Sequence, residues 1–244
     1  MEKQPLISVI TVCFNCREMM GKTLVSVAEQ DFDDFEFVVV DGGSTDGTLD
    51  KVKEYGGRVD VMVSERDRGI FDAMNKGVRL SSGRWIVFMN AGDTFAGSDT
   101  LSRVARAVAT ADADIVYGDQ YLDRGGEYKL KVALEPANRH RMYFCHQSAY
   151  AKREVLERFP CPLDIRLAGD YLFFKQAFLA GYRFKHVAEP WVIYDCTGVS
   201  SCNRMKVLRE NISIVNQHDS LLDRLRFLPR LYFVTYYGWL RGRR

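Results

Sequence analysis

The chain reads as an α/β fold, a mostly parallel central sheet flanked by helices, on three observations. Apolar runs of strand length recur at Leu6–Val12, Phe35–Val40 and Trp85–Met89. Helical apolar spacings separate them, and the second run ends in a glycine-rich acidic turn. Strands alternating with helices at this pace build a parallel sheet covered on both faces.

The elements follow in order. Leu6–Val12 is continuously apolar, as a strand buried on both faces requires. Met20, Leu24, Val27 and Ala28 then fall on one helical face. After Phe35–Val40, Thr48 or nearby Asp46 caps a helix reaching about Tyr55. Asp60–Ser64 reads as a third strand, and Phe71, Met74 and Val78 as a third helical face. Trp85–Met89 is a fourth strand, Leu101, Val104, Ala105 and Val108 mark a helix, and Ile115–Tyr117 is strand-like. Beyond Gly118 the alternation weakens: Lys129–Ala133 is extended, Pro136–Arg141 is loop, and Asp170–Ala180 is a helix ending near Gly181. The second half is expected to complete the same domain and wall off a site.

With 244 residues, 47% of them hydrophobic and 27% charged, the chain suits one fairly large domain, with or without an extension. The net charge is +2, but Leu221–Arg244 holds six arginines against Asp223, leaving the remainder at −3. A mildly acidic body with a basic tail argues against nucleic-acid binding. The opening Met1-Glu2-Lys3-Gln4-Pro5 has no secretory character, so a cytoplasmic location and six reduced cysteines are expected. Cys13-Phe14-Asn15-Cys16 has metal or redox spacing, yet no second Cys or His pair completes a tetrahedral set. Small core thiols are the expectation.

The most informative segment is Asp41-Gly42-Gly43-Ser44-Thr45-Asp46-Gly47-Thr48, where an apolar strand meets a polar loop. Open parallel sheets bind ligands outside the carboxyl ends of their strands. The dinucleotide fingerprint fails at Ser44, and the P-loop fails because Thr48 follows Gly47 directly. An acidic turn is better suited to accepting hydrogen bonds from a base or ribose than to cradling phosphate. Asp93, in Asn90-Ala91-Gly92-Asp93, follows the fourth strand and so shares that edge. It could anchor a divalent cation, which needs only one or two protein carboxylates, or cap a helix starting near Ser98. Asp170 could likewise cap its helix, and the charges of Ser64–Gly77 alone describe a solvated face.

Several motifs stand in order: Ser8–Val12, Val40–Thr48, Asp67–Gly77, Gly83-Arg84-Trp85 with Asn90–Asp93, and His146-Gln147. The set resembles the inverting family-two glycosyltransferases of GT-A, Rossmann-like fold, more narrowly the bacterial enzymes that build capsule, colanic acid and other exopolysaccharides. The resemblance spans Leu6 to Ser201. It implies transfer of a sugar from a nucleotide-diphospho-sugar, UDP-linked, to a hydroxyl of a lipid-linked or oligosaccharide acceptor. Asp41 would bind the nucleobase with Thr11 and Asp46 close by, and Asp67 would border the nucleoside pocket. Asn90 and His146 would contact the nucleotide-sugar, and Asp93 would hold Mg2+ or Mn2+. A lone histidine beside an apolar strand is also commonly a core residue. Ala168-Gly169-Asp170-Tyr171 matches the family's general base, with Asp164 as the alternative. The sequence departs from the family where relatives often carry aspartates, at Asn90 and Gly92, and has Ala73-Met74-Asn75-Lys76-Gly77 for Ala-Arg-Asn-x-Gly. Lys76 is therefore read as solvated.

Residues 1–205 are assigned to the catalytic domain and 206–244 to an amphipathic helical extension. In the latter, Leu221, Leu222, Leu225 and Leu228 repeat at helical intervals. Aromatics and arginines follow Pro229, over a length too short to span a bilayer. This suits a helix lying on an anionic membrane, the inner face of the plasma membrane, or one packed on protein. Two other classes stay open. A sugar nucleotidyltransferase would want a glycine-rich basic loop near the first strand, whereas Thr11–Arg17 has no glycine. A catalytically silent sugar-nucleotide-binding or scaffold protein would explain the altered Asp-x-Asp.

Overall fold

The structure, a computed structural model, describes residues 4–196 and 203–241. Met1-Glu2-Lys3, Ser201, Cys202, Arg243 and Arg244, which entered the sequence reading, lie outside the described residues. Strands β1 (Ile7–Cys13), β2 (Phe35–Asp41), β3 (Val61–Ser64) and β4 (Trp85–Phe88) are joined through helices α1 (Arg17–Ala28), α2 (Thr48–Glu54) and α3 (Ile70–Leu80). Then come β5 (Thr94–Phe95), α4 (Thr100–Thr110), β6 (Ile115–Asp123), β7 (Tyr128–Lys131), β8 (Ala149–Lys152), α5 (Arg153–Arg158), α6 (Gly169–Leu179) and β9 (Phe184–Asp195). Helices α7 (Arg204–His218) and α8 (Leu221–Arg241) close the chain.

One sheet runs β3-β2-β1-β4-β8-β6-β9-β5, with β7 paired to β6. Strands β1 to β4 are parallel. Strand β8 lies antiparallel between β4 and β6, and β9 runs parallel to β6. Two reversals cancel, so β6 and β9 point the same way as β1–β4. Their carboxyl ends, from Asp41 to Asp195, therefore meet at a single edge.

Alternation along β1 and β2 divides the core. Ile7, Val9, Phe35, Phe37 and Val39 pack beneath α1 and α4, while Ile10, Val12, Val38 and Val40 pack with Phe71, Met74 and Val78 of α3 and with α6. Burial on both faces explains why these strands lack polar alternation. The far edge is fastened by Glu36, which accepts from Ser8 Oγ (2.6 Å), Ser82 Oγ (2.9 Å) and the Gly83 amide (2.9 Å). Burial pushes its carboxyl up, but these donors outweigh that and hold it below the usual range.

Cys13, Cys16, Cys145, Cys161 and Cys196 are free thiols. Helix α8 continues through Pro229 and packs Phe227 and Leu231 against Val215 of α7. No helix among the described residues is long and apolar enough to cross a membrane.

Candidate active site at the carboxyl edge of the sheet

Two loops are sewn together where β1 and β2 end. Asn15, in the left-handed region (φ 47°), accepts the Thr45 amide through Oδ1 (2.9 Å), and its own amide donates to Ser44 Oγ (2.8 Å). Thr48 Oγ1 accepts the Cys16 amide (3.0 Å). Asp46 accepts the amides of Thr48 (3.0 Å) and Arg17 (3.1 Å), so it caps α2 from just outside the helix. These donors hold its carboxyl below the usual range, with the Thr48 hydroxyl the largest cause.

Asp41 is the hub of this loop. Its side chain is fully buried and accepts from the amides of Gly43 and Ser44 (2.9 Å each), the hydroxyls of Ser64 (2.7 Å) and Ser44, and the Cys13 thiol (3.6 Å). Burial raises its pKa, but the serine hydroxyls and the two amides outweigh that, and the carboxyl stays below the ordinary range. A carboxylate with this many donors shapes a loop; the expected direct bond to a base would have to displace one of them. Asp67 does border the loop: a Cβ on Gly42 would lie 2.5 Å from its Oδ2, so glycine is what lets the two segments meet. Thr11 does not face the rim. It is fully buried and donates to the Met89 carbonyl (2.7 Å), so its hydroxyl ties β1 to the end of β4. Lys76 is not solvated either; its side chain is 14% exposed and pairs with Glu65 at 2.8 Å.

Two strand spacings from Asp41, about 10 Å away, a second cluster forms. His146 and Gln147 sit on the 3-10 turn His146–Ser148 that leads into β8. His146 Nδ1 lies 2.9 Å from Asp170 Oδ2, and His146 Nε2 lies 3.0 Å from Asn90 Nδ2. With the imidazole proton on Nδ1, the histidine donates to Asp170 and accepts from the Asn90 amide, so one tautomer satisfies both ring nitrogens. Asn90 Oδ1 is then left buried with no hydrogen-bond partner among the described residues. Asp170 stands in the first turn of α6, where Oδ1 accepts the Tyr171 amide (2.8 Å) and Oδ2 faces His146. Asp164 is exposed on the loop before that helix.

Asp93 is 5% exposed and does not cap α4, whose N-cap is Asp99. It accepts from Gln147 Nε2 (2.6 Å) and the Asp195 amide (2.8 Å). Burial pushes its carboxyl up to about 6, opposed by the Asp195 amide, His146 and Gln147. Thr23 of α1 braces the Asn90–Asp93 turn, accepting the Gly92 amide (3.0 Å) and donating to the Asp93 carbonyl (2.8 Å). Thr23, Gln147 and Asp195 were not singled out from the sequence. Gln147 stood beside a chosen histidine, and Asp195, an acid at a strand's carboxyl end, satisfied the same rule as Asp41. Thr23 gave no signal.

Among the described residues no three metal-ligating acids, histidines or cysteines cluster. What the edge offers a divalent cation is the Asp93 carboxylate and the unpartnered Asn90 amide oxygen, both hard donors. That fits Mg2+ or Mn2+ completed by phosphates and water, with Asn90 replacing the carboxylate usual in such a motif.

A model of glycosyl transferase family 2 matches residues 8–191. A PGL/p-HBAD biosynthesis glycosyltransferase of Mycobacterium bovis (strain BCG / Pasteur 1173P2) is 35% identical over 179 residues, covering 69% of this chain and 68% of that one. Among solved structures, S. aureus TarS 1-349 in complex with UDP superposes with a TM-score of 0.67 at 21% identity, over 88% of this chain and 67% of that one. The mannosyltransferase PcManGT from Pyrobaculum calidifontis, in complex with GDP-Man and Mn2+, gives 0.70 at 20% identity, over 96% and 70%. At these identities the two structures establish the shared GT-A-type fold. The family model spans most of the chain, including the acidic turn after β2 and the Asn90–His146–Asp170 edge as far as Trp191, and the chain belongs to glycosyl transferase family 2.

Proposed function

We propose that the protein transfers a sugar, with inversion, from a UDP-linked nucleotide-sugar to a hydroxyl of a lipid-linked or oligosaccharide acceptor, in building a bacterial cell-surface glycan. The observation that carries this reading is the Asp170–His146–Asn90 chain beside Asp93. Inverting transfer needs a proton acceptor facing the incoming hydroxyl and a polar seat for the departing diphosphate, and Asp170 and the Asp93–Asn90 pair would fill these two roles. Asp170 takes the hydroxyl proton as the acceptor oxygen bonds to the anomeric carbon and the bond to the diphosphate breaks on the opposite face. His146 holds the Asp170 carboxylate in place, and the Asn90 amide fixes the His146 tautomer. Asp93 and the Asn90 amide oxygen would hold Mg2+ or Mn2+, which when bound neutralises charge on the leaving diphosphate. The Asp41 loop, closed over by Asp67, would shape the nucleoside pocket, with Asp41 acting through the amides and hydroxyls it gathers.

The test is a panel of UDP-glucose, UDP-N-acetylglucosamine and GDP-mannose, each with Mg2+ or Mn2+. A UDP-sugar is expected to raise the apparent Tm, because preferential binding stabilises the native state. It is also expected to be turned over slowly with water as acceptor, releasing UDP and a sugar of inverted configuration by NMR. Binding without turnover would mark a silent binding protein, and a retained configuration would exclude the single displacement.

The acceptor reading draws on α8. Its buried face meets α7, while Leu222 (79% exposed), Leu225, Tyr232, Phe233 (66%) and Tyr236 face outward with Arg226 and Arg230. An apolar-aromatic stripe edged by arginines suits the headgroup layer of an anionic bilayer. The protein is expected to float with vesicles containing phosphatidylglycerol and not with pure phosphatidylcholine. Leu222→Glu with Phe233→Glu should abolish flotation without lowering Tm; unchanged flotation would remove the tail as the contact.

A further inference from the structure

Helix α6 begins without a side-chain cap of its own. Its N-cap position is Ala168, and that residue makes no side-chain cap bond. The amides just ahead of the helix are instead satisfied from outside the catalytic sequence motifs. Glu210, in the middle of α7, accepts the Arg166 amide on Oε1 (3.1 Å) and the amides of Leu167 (2.9 Å) and Ala168 (2.8 Å) on Oε2. A carboxylate gathering three amides at the head of a helix acts as a cap supplied by another helix. Asp170 lies two residues beyond the last of these amides.

Two more contacts fix the same turn. A Cβ on Gly169 would fall 2.7 Å from the Phe71 ring of α3, so the helix start is pressed against that ring. On the other side, Ile214 of α7, one turn from Glu210, packs with Ala168, Tyr171 and Leu172. The only carboxylate acting on the amides of this turn from outside α6 is Glu210, among the described residues. If it is lost, the amides of Arg166, Leu167 and Ala168 lose their shared acceptor, and the turn that carries Asp170 is no longer held from α7.

From this geometry we infer that Glu210 is a positioning residue for the transfer reaction: it holds the first turn of α6 so that Asp170 stays in register with His146. This makes the C-terminal helical pair part of the active-site support. The inference rests on the reading of Asp170 as the base. Among the described residues, the hydrogen bonds of Glu210 go to this turn, to the amides of Arg166, Leu167 and Ala168.

The test is Glu210→Gln in the full chain. Glutamine keeps the shape and one acceptor oxygen but turns an amide nitrogen toward the remaining N–H donors. With the sugar nucleotide that the unmodified protein hydrolyses fastest from the panel above, kcat is expected to fall about tenfold to a hundredfold, as a displaced catalytic group would give. KM for the donor should stay within twofold. The 15N signal of the His146 Nδ1–H bonded to Asp170 should shift or broaden, a readout that needs no substrate, while Glu210→Asp restores part of both. A kcat within twofold of the unmodified value with an unmoved His146 signal would overturn the inference, as would equal losses in kcat and donor affinity. In Asp170→Asn, the Glu210→Gln change should have no further effect on turnover. Near-normal turnover in Asp170→Asn alone would instead strike the base assignment, which separates the two failures.

Discussion

Asp170→Asn is expected to lower turnover about 10²- to 10⁴-fold, the usual contribution of a positioned general base, while the metal-free affinity for the nucleotide is unchanged. The substitution is close to isosteric, and the surrounding network can absorb it. The new side chain can still accept the Tyr171 amide through Oδ1, as Asp170 does at 2.8 Å. Its NH2 group would then face His146 Nδ1, which now lies 2.9 Å from a carboxylate oxygen. The imidazole answers by moving its proton to Nε2, and the Asn90 amide flips to present Oδ1, the atom that lacks a partner in the native arrangement. Every hydrogen bond of this chain is remade, at the cost of the proton acceptor and of the Asn90 oxygen that would face the cation. Asp41 and Asp67 are untouched, so calorimetry with UDP in the absence of divalent metal should report native affinity. Turnover within tenfold of the unmodified protein would place the base elsewhere, with Asp164 the next candidate.

How much of this was legible in the sequence depends on how local each cause is. Strands β1, β2 and β4 were plain because burial on both faces leaves a mostly apolar run, in which even Ser8, Thr11 and Glu36 are buried. Strand β9 was not: Phe184–Asp195 carries charges and Pro190, and its pairing with β6 is interrupted on both sides of Asp119. Strand β8 and helix α5 are four and six residues long, too short for a period to emerge. The acidic turn was visible as the end of a strand, but the donors that its first residue gathers were not. Which donors fill the lone pairs of Asp41 depends on Ser64, 23 positions away in the chain, and on Cys13, 28 away. Thr11 was placed near the base through family resemblance, but it is buried and donates to the Met89 carbonyl. His146 and Asp170 were each proposed through family resemblance; their direct bond, and the bond from His146 to Asn90, could be known only from three dimensions. Glu210 sat in an ordinary helical charge pattern with nothing to mark it.

Lys175→Met should cost about 3–5 kcal/mol, the price of leaving a buried partner's charge uncompensated. Lys175, in the second turn of α6, has a side chain 2% exposed and lies 2.8 Å from Asp219, which is 0% exposed, at the junction of α7 and α8. Its Nζ also donates to Asn138 Oδ1 (2.6 Å) and the Arg139 carbonyl (3.1 Å). Burial pulls the lysine below its usual range against the opposing pull of Asp219, so the pair is held together by geometry that solvent cannot replace. Removing the ammonium leaves Asp219 with the Asn138 amide (2.9 Å) and a second oxygen, Oδ2, that already lacks a partner. For a chain of this length, each kcal/mol lowers Tm by roughly 2–4 °C, so a drop of about 6–20 °C is expected. Adding Asp219→Leu should recover much of the loss, because two apolar groups no longer strand a charge. Losses in Lys175→Met and Asp219→Leu that simply sum in the double variant would show that the two residues do not act as a pair. Because Lys175 lies on the same helix as Asp170, the comparison also separates the two supports of α6: Lys175→Met should lower Tm more than kcat measured well below the transition, and Glu210→Gln should do the reverse.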